Sequence, residues 1–209
     1  MSSSNTASIH TSPHLLYVGH SRSALHQFSA LLGIDGEIYE TSSAKDLSTF
    51  PPCDLAIVVI NAQEGVSHEL TQWWSAAREK QIPRLIAVTD IDSGEIDFDD
   101  IVLIAQRVLD PVLTPYLVLH GDNGEPSGTI SLESLETTDY STTPPTHAKA
   151  ESDLIELVHD YRTEYLEQRD EYGFEGFSDG LLFPAIPVSA KIGFGKAEIL
   201  SYVKSIPTR

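Results

Sequence analysis

Residues Leu55–Ile60 read LAIVVI, an unbroken apolar run dominated by β-branched side chains. A strand with one wet face alternates apolar and polar residues. A run without alternation belongs to a strand covered on both faces, as at the centre of a parallel sheet with helices packed on each side. Leu85–Thr89, set off by Pro83, repeats the pattern, and His14–Val18, Glu37–Thr41, Tyr116–His120 and Leu182–Ser189 supply further strand-like segments. Helix-period segments lie between them. Ala24, Leu25, Phe28, Leu31 and Leu32 form one apolar face. Leu70, Trp73, Trp74 and Ala77 form a second behind a Ser67 cap, with one tryptophan as the alternative candidate for an exposed contact. Phe98, Ile101, Val102, Ala105, Val108 and Leu109 form a third, and Ala197–Ile206 a last helix before Pro207. The alternation specifies a doubly wound, mostly parallel α/β sheet.

Two stretches depart from that rhythm. Gly33 and Gly36 end the first helix, and Ser43–Phe50 reads as a short helix stopped by Pro51 and Pro52. Further on, Asn123-Gly124 signals a tight turn, and Thr129–Leu135 alternates as a strand of a small β excursion. Ser141–Ala150 (STTPPTHAKA) has the composition of a linker or exposed loop. Glu151–Glu171 follows as a long helix with Leu154, Val158, Tyr161 and Tyr165 aligned. The expected organisation is a flexible lead-in over residues 1–12 and a single domain over 13–209, with 121–171 as an insertion-like subregion.

Charge narrows the partners. Thirty-one acidic residues against 13 basic ones give a formal net charge of −18, with no cluster of Lys and Arg to contact a phosphate backbone or an anionic membrane. The excess acid either keeps the chain in solution or steers a basic protein partner. Cys53 is the only cysteine, so no intramolecular disulfide forms. No apolar stretch approaches the ~20 residues of a membrane span. Met1–Ser12 has neither the basic nor the apolar segment of a secretory signal, and the expected location is the cytoplasm.

The order of signals resembles the GTPase domain of translation factors, nearest to elongation factor G and the ribosomal protection proteins. Gly19-His20-Ser21-Arg22-Ser23-Ala24-Leu25-His26 falls where that family places a phosphate loop after the first strand. Asp54–Val66 (DLAIVVINAQEGV) is similar to the strand and turn before the family's tryptophan-bearing helix. Ile82–Asp92 (IPRLIAVTDID) is similar to the strand entering the guanine-specificity motif. Ser189-Ala190-Lys191, then Gly193, Gly195 and Leu200, resembles the closing motif and final helix. The β excursion and the acidic helix after it sit where elongation factor G carries an insertion.

The resemblance implies a GTPase-like fold over roughly residues 14–208 and a nucleotide site at Gly19, Ser23, Asp92, Ser189, Ala190 and Lys191. The chemistry expected of that site is another matter. A phosphate loop, G-x-x-x-x-G-K-[ST], needs its second glycine for backbone approach, its lysine for the β and γ oxygens, and its Ser/Thr for magnesium. Here those three positions are Ala24, Leu25 and His26. Ser21, Ser23 and Arg22 are what is left to meet an anion. Residues 33–53 replace the two switch regions and contain no Asp-x-x-Gly. The guanine motif reads Thr89-Asp90-Ile91-Asp92, keeping the carboxylate of Asp92 but putting a negative charge in the lysine's place.

Other constellations are weaker. Asp90, Asp92, Glu95, Asp97, Asp99 and Asp100 invite a calcium reading, but an EF-hand needs glycine where Glu95 stands. Asp97 is more simply a helix cap, with Asp99 and Asp100 favouring the helix dipole. The histidines lack metal-ligand spacing, and His20, which matches the family's loop histidine, is read as structural. The expectation is a pseudo-GTPase with no catalytic or metal-binding residue and no cofactor, acting on a protein partner, translation-related by resemblance. Its alternatives are a guanine-nucleotide-binding protein or weak GTPase with an altered phosphate loop, using Arg22, Ser23, Asp92 and Lys191, and an unrelated enzyme built on the Asp90–Asp100 carboxylates.

Overall fold

The computed structural model describes residues 12–92, 95–173 and 175–207; most of the expected lead-in lies outside them. The LAIVVI run occupies β3 (Leu55–Asn61) in a six-stranded sheet. The other strands of the sheet are β1 (Leu15–Gly19), β2 (Glu37–Glu40), β4 (Arg84–Thr89), a two-residue β5 (Val112–Leu113) and β10 (Phe183–Pro187). The order is β2-β1-β3-β4-β10-β5 and every pairing is parallel.

Alternate residues of β3 feed different cores. Ala56, Val58 and Ile60 meet the buried faces of α2 (His68–Glu79) and α3 (Phe98–Val108). Leu55, Ile57 and Val59 meet α1 (Arg22–Leu32) and α6 (Lys196–Ser205). That division is the physical reason for the unbroken apolar run: a polar residue at any of these positions would be buried without a partner. Each of the five larger side chains, Ala56 aside, contributes on the order of 1.5–3 kcal/mol.

The helix starts follow their cap chemistry. Ser67 accepts from the Leu70 amide at 3.1 Å, and Asp97 with Asp100 forms a reciprocal capping box. Trp73 and Trp74 are both fully buried, so neither is an exposed contact. Val108, expected on the inner side, is 44% exposed.

Three segments depart from expectation. Tyr116–His120 forms β6, which leaves the main sheet and starts an antiparallel one with β7 (Pro126–Ser131), β8 (Glu136–Asp139) and β9 (Thr146–Lys149); β5 takes its place beside β10. Part of the expected loop at Ser141–Ala150 is therefore the strand β9. Its side chains are all exposed, so no apolar pattern marks it, and it is held by its ladder to β8. Ser43–Phe50 is not a helix: a short 3-10 turn covers Thr41–Ser43. Asp46 then accepts from the Ser48 amide, the Ser48 hydroxyl and the Thr49 hydroxyl. Such local side-chain bonds compete with helix formation.

The long acidic helix divides at Val158 into α4 (Ser152–Leu157) and α5 (His159–Tyr172). Hydrogen bonding carries through: the Val158 amide donates to Leu154 and the Arg162 amide to Val158. Val158 and Tyr165 pack with Ile130 and Leu132 in a third core that joins the helix to the small sheet, while Tyr161 faces solvent. No helix among the described residues is long and apolar enough to cross a membrane.

Cys53 packs half-buried against the first core, and burial, then Asp54 and Glu37, push its thiol up to about 12. At pH 8 its thiolate fraction falls about a thousandfold below that of a free cysteine. Alkylation by iodoacetamide in the native protein is therefore expected to be at least about a hundredfold slower than after unfolding. Equal rates would mean that the thiol is not held in this setting.

Candidate functional site

The chain leaves β1 toward β2 on one side of the sheet and resumes at β3 on the other, with α1 and α2 on opposite faces. The gap at the carboxyl ends of β1 and β3 is the switch point where doubly wound sheets place their ligands. Two adjoining hollows open there, of about 380 and 440 Å³, sharing Ala24, Val59, Asn61 and Thr89. The first takes its walls from Gly19–Ser21 and from Glu64, Gly65 and Ser67. The second runs along α1 to Asp92, Ala190 and Lys191.

Residues distant in sequence meet at the second hollow. The Ser189 hydroxyl donates to Asp92 Oδ2 at 3.1 Å and accepts from the Ile192 amide at 3.1 Å. The Ser189 carbonyl accepts from the Gly193 amide at 2.7 Å. Asp92 is thereby oriented beside exposed Ala190 and Lys191. Asn61 Nδ2 donates to Asp90 Oδ2 at 2.5 Å, and Gln63 Nε2 donates to the carbonyls of Asp90 and Ile96. These two amides, absent from the sequence-based site, tie the β3 loop to the β4 loop. Their only sequence signal is a polar tail on a buried strand.

The first hollow is built differently. A Cβ on Gly19 would lie 2.9 Å from the Val59 carbonyl oxygen and 3.1 Å from Leu25 Cδ2, so only glycine fits between strand and helix. Leu25 is fully buried in the second core, and His26 is exposed. Ser23 is exposed on α1 with its hydroxyl 3.0 Å from that of Ser21, and it lines neither hollow.

Arg22, expected to add charge for an anion, is engaged with Glu40 at the end of β2. The Arg22 amide, the first of α1, donates to Glu40 Oε1 at 3.1 Å, and its guanidinium Nε to Oε2 at 3.4 Å. The Ser43 hydroxyl donates to Oε2 at 2.8 Å. The same turn sends the Ser42 hydroxyl to the His20 carbonyl at 2.7 Å and the Thr41 hydroxyl to the Gly19 carbonyl at 3.2 Å. Hydrogen bonds from the Ser43 hydroxyl and then the Arg22 amide hold the Glu40 carboxyl below its usual range. The chain thus places its own carboxylate at the positive end of α1. Nothing in the sequence around Glu40 announced this role, because the parallel pairing of β1 with β2 brings it there.

These residues do not fit a magnesium–triphosphate. An apolar side chain stands in place of the amine, and a carboxylate already caps the helix. Of the six carboxylates at Asp90–Asp100, Asp90 and Asp92 tie loops together and Asp97 and Asp100 form the cap of α3.

The fold is that of a P-loop GTPase-like domain, a six-stranded parallel sheet with helices on both faces. The profile of the elongation factor Tu GTP binding domain matches residues 46–208, and the chain belongs to that family. The matched span holds Asp92 and Ser189–Lys191 and begins after Gly19–His26. Among curated relatives, the elongation factor G-like protein of two Mycobacterium tuberculosis strains is 25% identical over 168 residues, which is 70% of this chain and 23% of that protein. The chain therefore spans less than a quarter of those relatives' length. A crystal structure of a Thermus thermophilus protein superposes with a TM-score of 0.73 at 17% identity, over 94% of this chain and 40% of that one, which is a likeness of fold.

Proposed function

We propose that this chain is a pseudo-GTPase: an elongation-factor-type domain that hydrolyses no nucleotide and works as a protein-interaction module. The observation that carries the reading is Glu40. Its carboxylate takes the first amide of α1, next to a buried Leu25 that offers no charge to a phosphate. A polyphosphate arriving there would meet a fixed negative charge instead of a lysine. The missing Asp-x-x-Gly in residues 33–53 removes the family's route to an activated water as well. The net charge of −18 favours a basic protein partner over nucleic acid, and the relatives' names point to one connected with translation.

One observation favours a second reading. Asp92, oriented by Ser189 beside Lys191 and an apolar wall, keeps the furniture of a base pocket, so a guanine nucleotide held by its base is the rival.

A thermal unfolding scan with millimolar GTP or GDP and magnesium separates the two. Ligand at about 100 times its Kd adds about 2.7 kcal/mol, a rise of roughly 5–11 °C for a domain of this size. The expected result is no rise with either nucleotide. A rise specific to guanine nucleotides would sink the pseudo-GTPase reading and make Asp92→Ala the next variant.

A further inference from the structure

α3 and α5 are separated by a groove of about 250 Å³ whose walls include Leu103 and Tyr161. Both side chains are more than half exposed, at 54% and 56%. Eight large apolar side chains are exposed among the described residues, and seven of them belong to residues 96–108 or 155–161. Of these, Leu103 and Tyr161 line the groove, one from each helix, together with the buried Val102, Val112 and Leu132, and an exposed apolar lining of this kind marks a contact surface.

The charge of the groove has one sign. Asp99 and Glu164 are the charged residues that line it. The α4–α5 stretch, residues 152–172, carries seven carboxylates and two arginines. Both arginines are occupied: Arg162 Nε donates to the Leu132 carbonyl at 3.0 Å, and Arg169 bridges Glu133 and Asp170. Arg107, the one cation of α3, is not among the lining residues. Asp99 is exposed at the groove, with the like charges of Asp97 and Asp100 close by, so this end of the groove is acidic.

We propose that this groove docks a basic amphipathic helix of a partner protein, its apolar face between Leu103 and Tyr161 and its cations against Asp99 and Glu164. This rests on the interaction-module reading. Two helices flanking an apolar trough offer a third helix the ridge-and-groove contacts by which helices pack, read out at i, i+3, i+4 and i+7. The acidic rim supplies register and selects against acidic helices.

The test uses the full chain and two peptides of about 18 residues, long enough for five helical turns. One is a Leu/Lys peptide with helical period; the other has the same composition scrambled to destroy that period. The periodic peptide should bind saturably, one per chain, and move the amide resonances of α3 and α5. The scrambled peptide should bind about tenfold more weakly or worse, a gap of about 1.4 kcal/mol or more. Leu103→Lys with Tyr161→Lys should weaken the periodic peptide by the same factor or more, and because both side chains are exposed the unfolding temperature should hold. Glu164→Lys alone supplies an independent check on the charge. Equal binding of the two peptides, resonance shifts spread over the whole surface, or full affinity in the variants would overturn the proposal. So would sedimentation showing a dimer that Leu103→Lys dissolves, because the occupant would then be a second copy, or binding of anionic vesicles lost in the same variant. Failure of the peptide with nucleotide still without effect removes the groove and leaves the pseudo-GTPase reading standing. A nucleotide-induced rise removes that reading whatever the peptide does.

Discussion

Gly195→Val is expected to lower the stability of the domain by about 4 kcal/mol, a fall in Tm of roughly 10 °C or more. Two costs combine. Gly195 opens α6 with φ +94°, a region that a β-branched residue occupies only under strain. The new Cβ would also run into the Pro187 carbonyl oxygen and lie 2.7 Å from Val188 Cγ2 and 2.9 Å from Val188 Cα. That backbone cannot retreat easily, because the Val188 amide is bonded to the Val88 carbonyl at 2.8 Å at the end of the sheet. The Gly195 amide is itself held by Glu198 Oε2 at 3.1 Å, whose other oxygen accepts from the Tyr140 hydroxyl. A shift at this position therefore loosens the loop that carries Ser189 and Lys191, the start of α6 and a tether to the small sheet. Gly65→Ala is the control: φ is +74° there, but nothing lies within 4 Å of the added carbon. It should cost about 1 kcal/mol, the conformational part alone. Chemical denaturation of both variants decides the matter, and equal losses would show that the close approach at Val188 contributes nothing.

What could be read in advance follows from how local each signal is. LAIVVI announces a strand covered on both sides because two cores act on one short run, and the Ser67 and Asp97 caps act within three residues of themselves. The parallel pairing of Glu37–Glu40 with β1 follows from the short connection after α1. Tyr116–His120 has the same apolar look as the central strands, and only tertiary contacts decide that it joins β7 while two-residue β5 closes the main sheet. Thr146–Lys149 pairs through its ladder to β8 and polar contacts from Thr137 and Thr138, with no buried face, so no apolar pattern betrays it. The site divides in the same way. Asp92 and Ser189 were visible as motif remnants and do meet, whereas Glu40, Asn61 and Gln63 have meaning only once strand ends are brought side by side.

Arg84 is the largest element of the core that no sequence pattern flags, and Arg84→Ala is expected to cost about 3–5 kcal/mol. It opens β4, yet it is fully buried. Its guanidinium carbon lies 4.4 Å from the ring centre of Trp74 and 4.2 Å from that of Phe183, and Nη1 donates to the Trp74 carbonyl at 2.8 Å. Nε and Nη2 have no hydrogen-bond partner among the described residues. Burial pushes the group down to about 10, against the pull of Asp110, whose carboxylate is occupied by the Trp74 indole N–H at 2.7 Å and by Arg78 at 2.8 Å. Two effects therefore oppose each other: the stacked, flat guanidinium fills the space between two rings, and its charge is poorly compensated. Alanine removes the filling and leaves a cavity beside Trp74, which is the expensive part. Methionine restores most of the volume and removes the charge, so Arg84→Met should come within about 1 kcal/mol of the parent protein. Urea denaturation of the two variants tells which effect dominates. If Arg84→Met falls as far as Arg84→Ala, the cation–π contact and the bond to Trp74 outweigh the burial cost. If it holds, Arg84 acts as a filler whose charge the core tolerates without needing it.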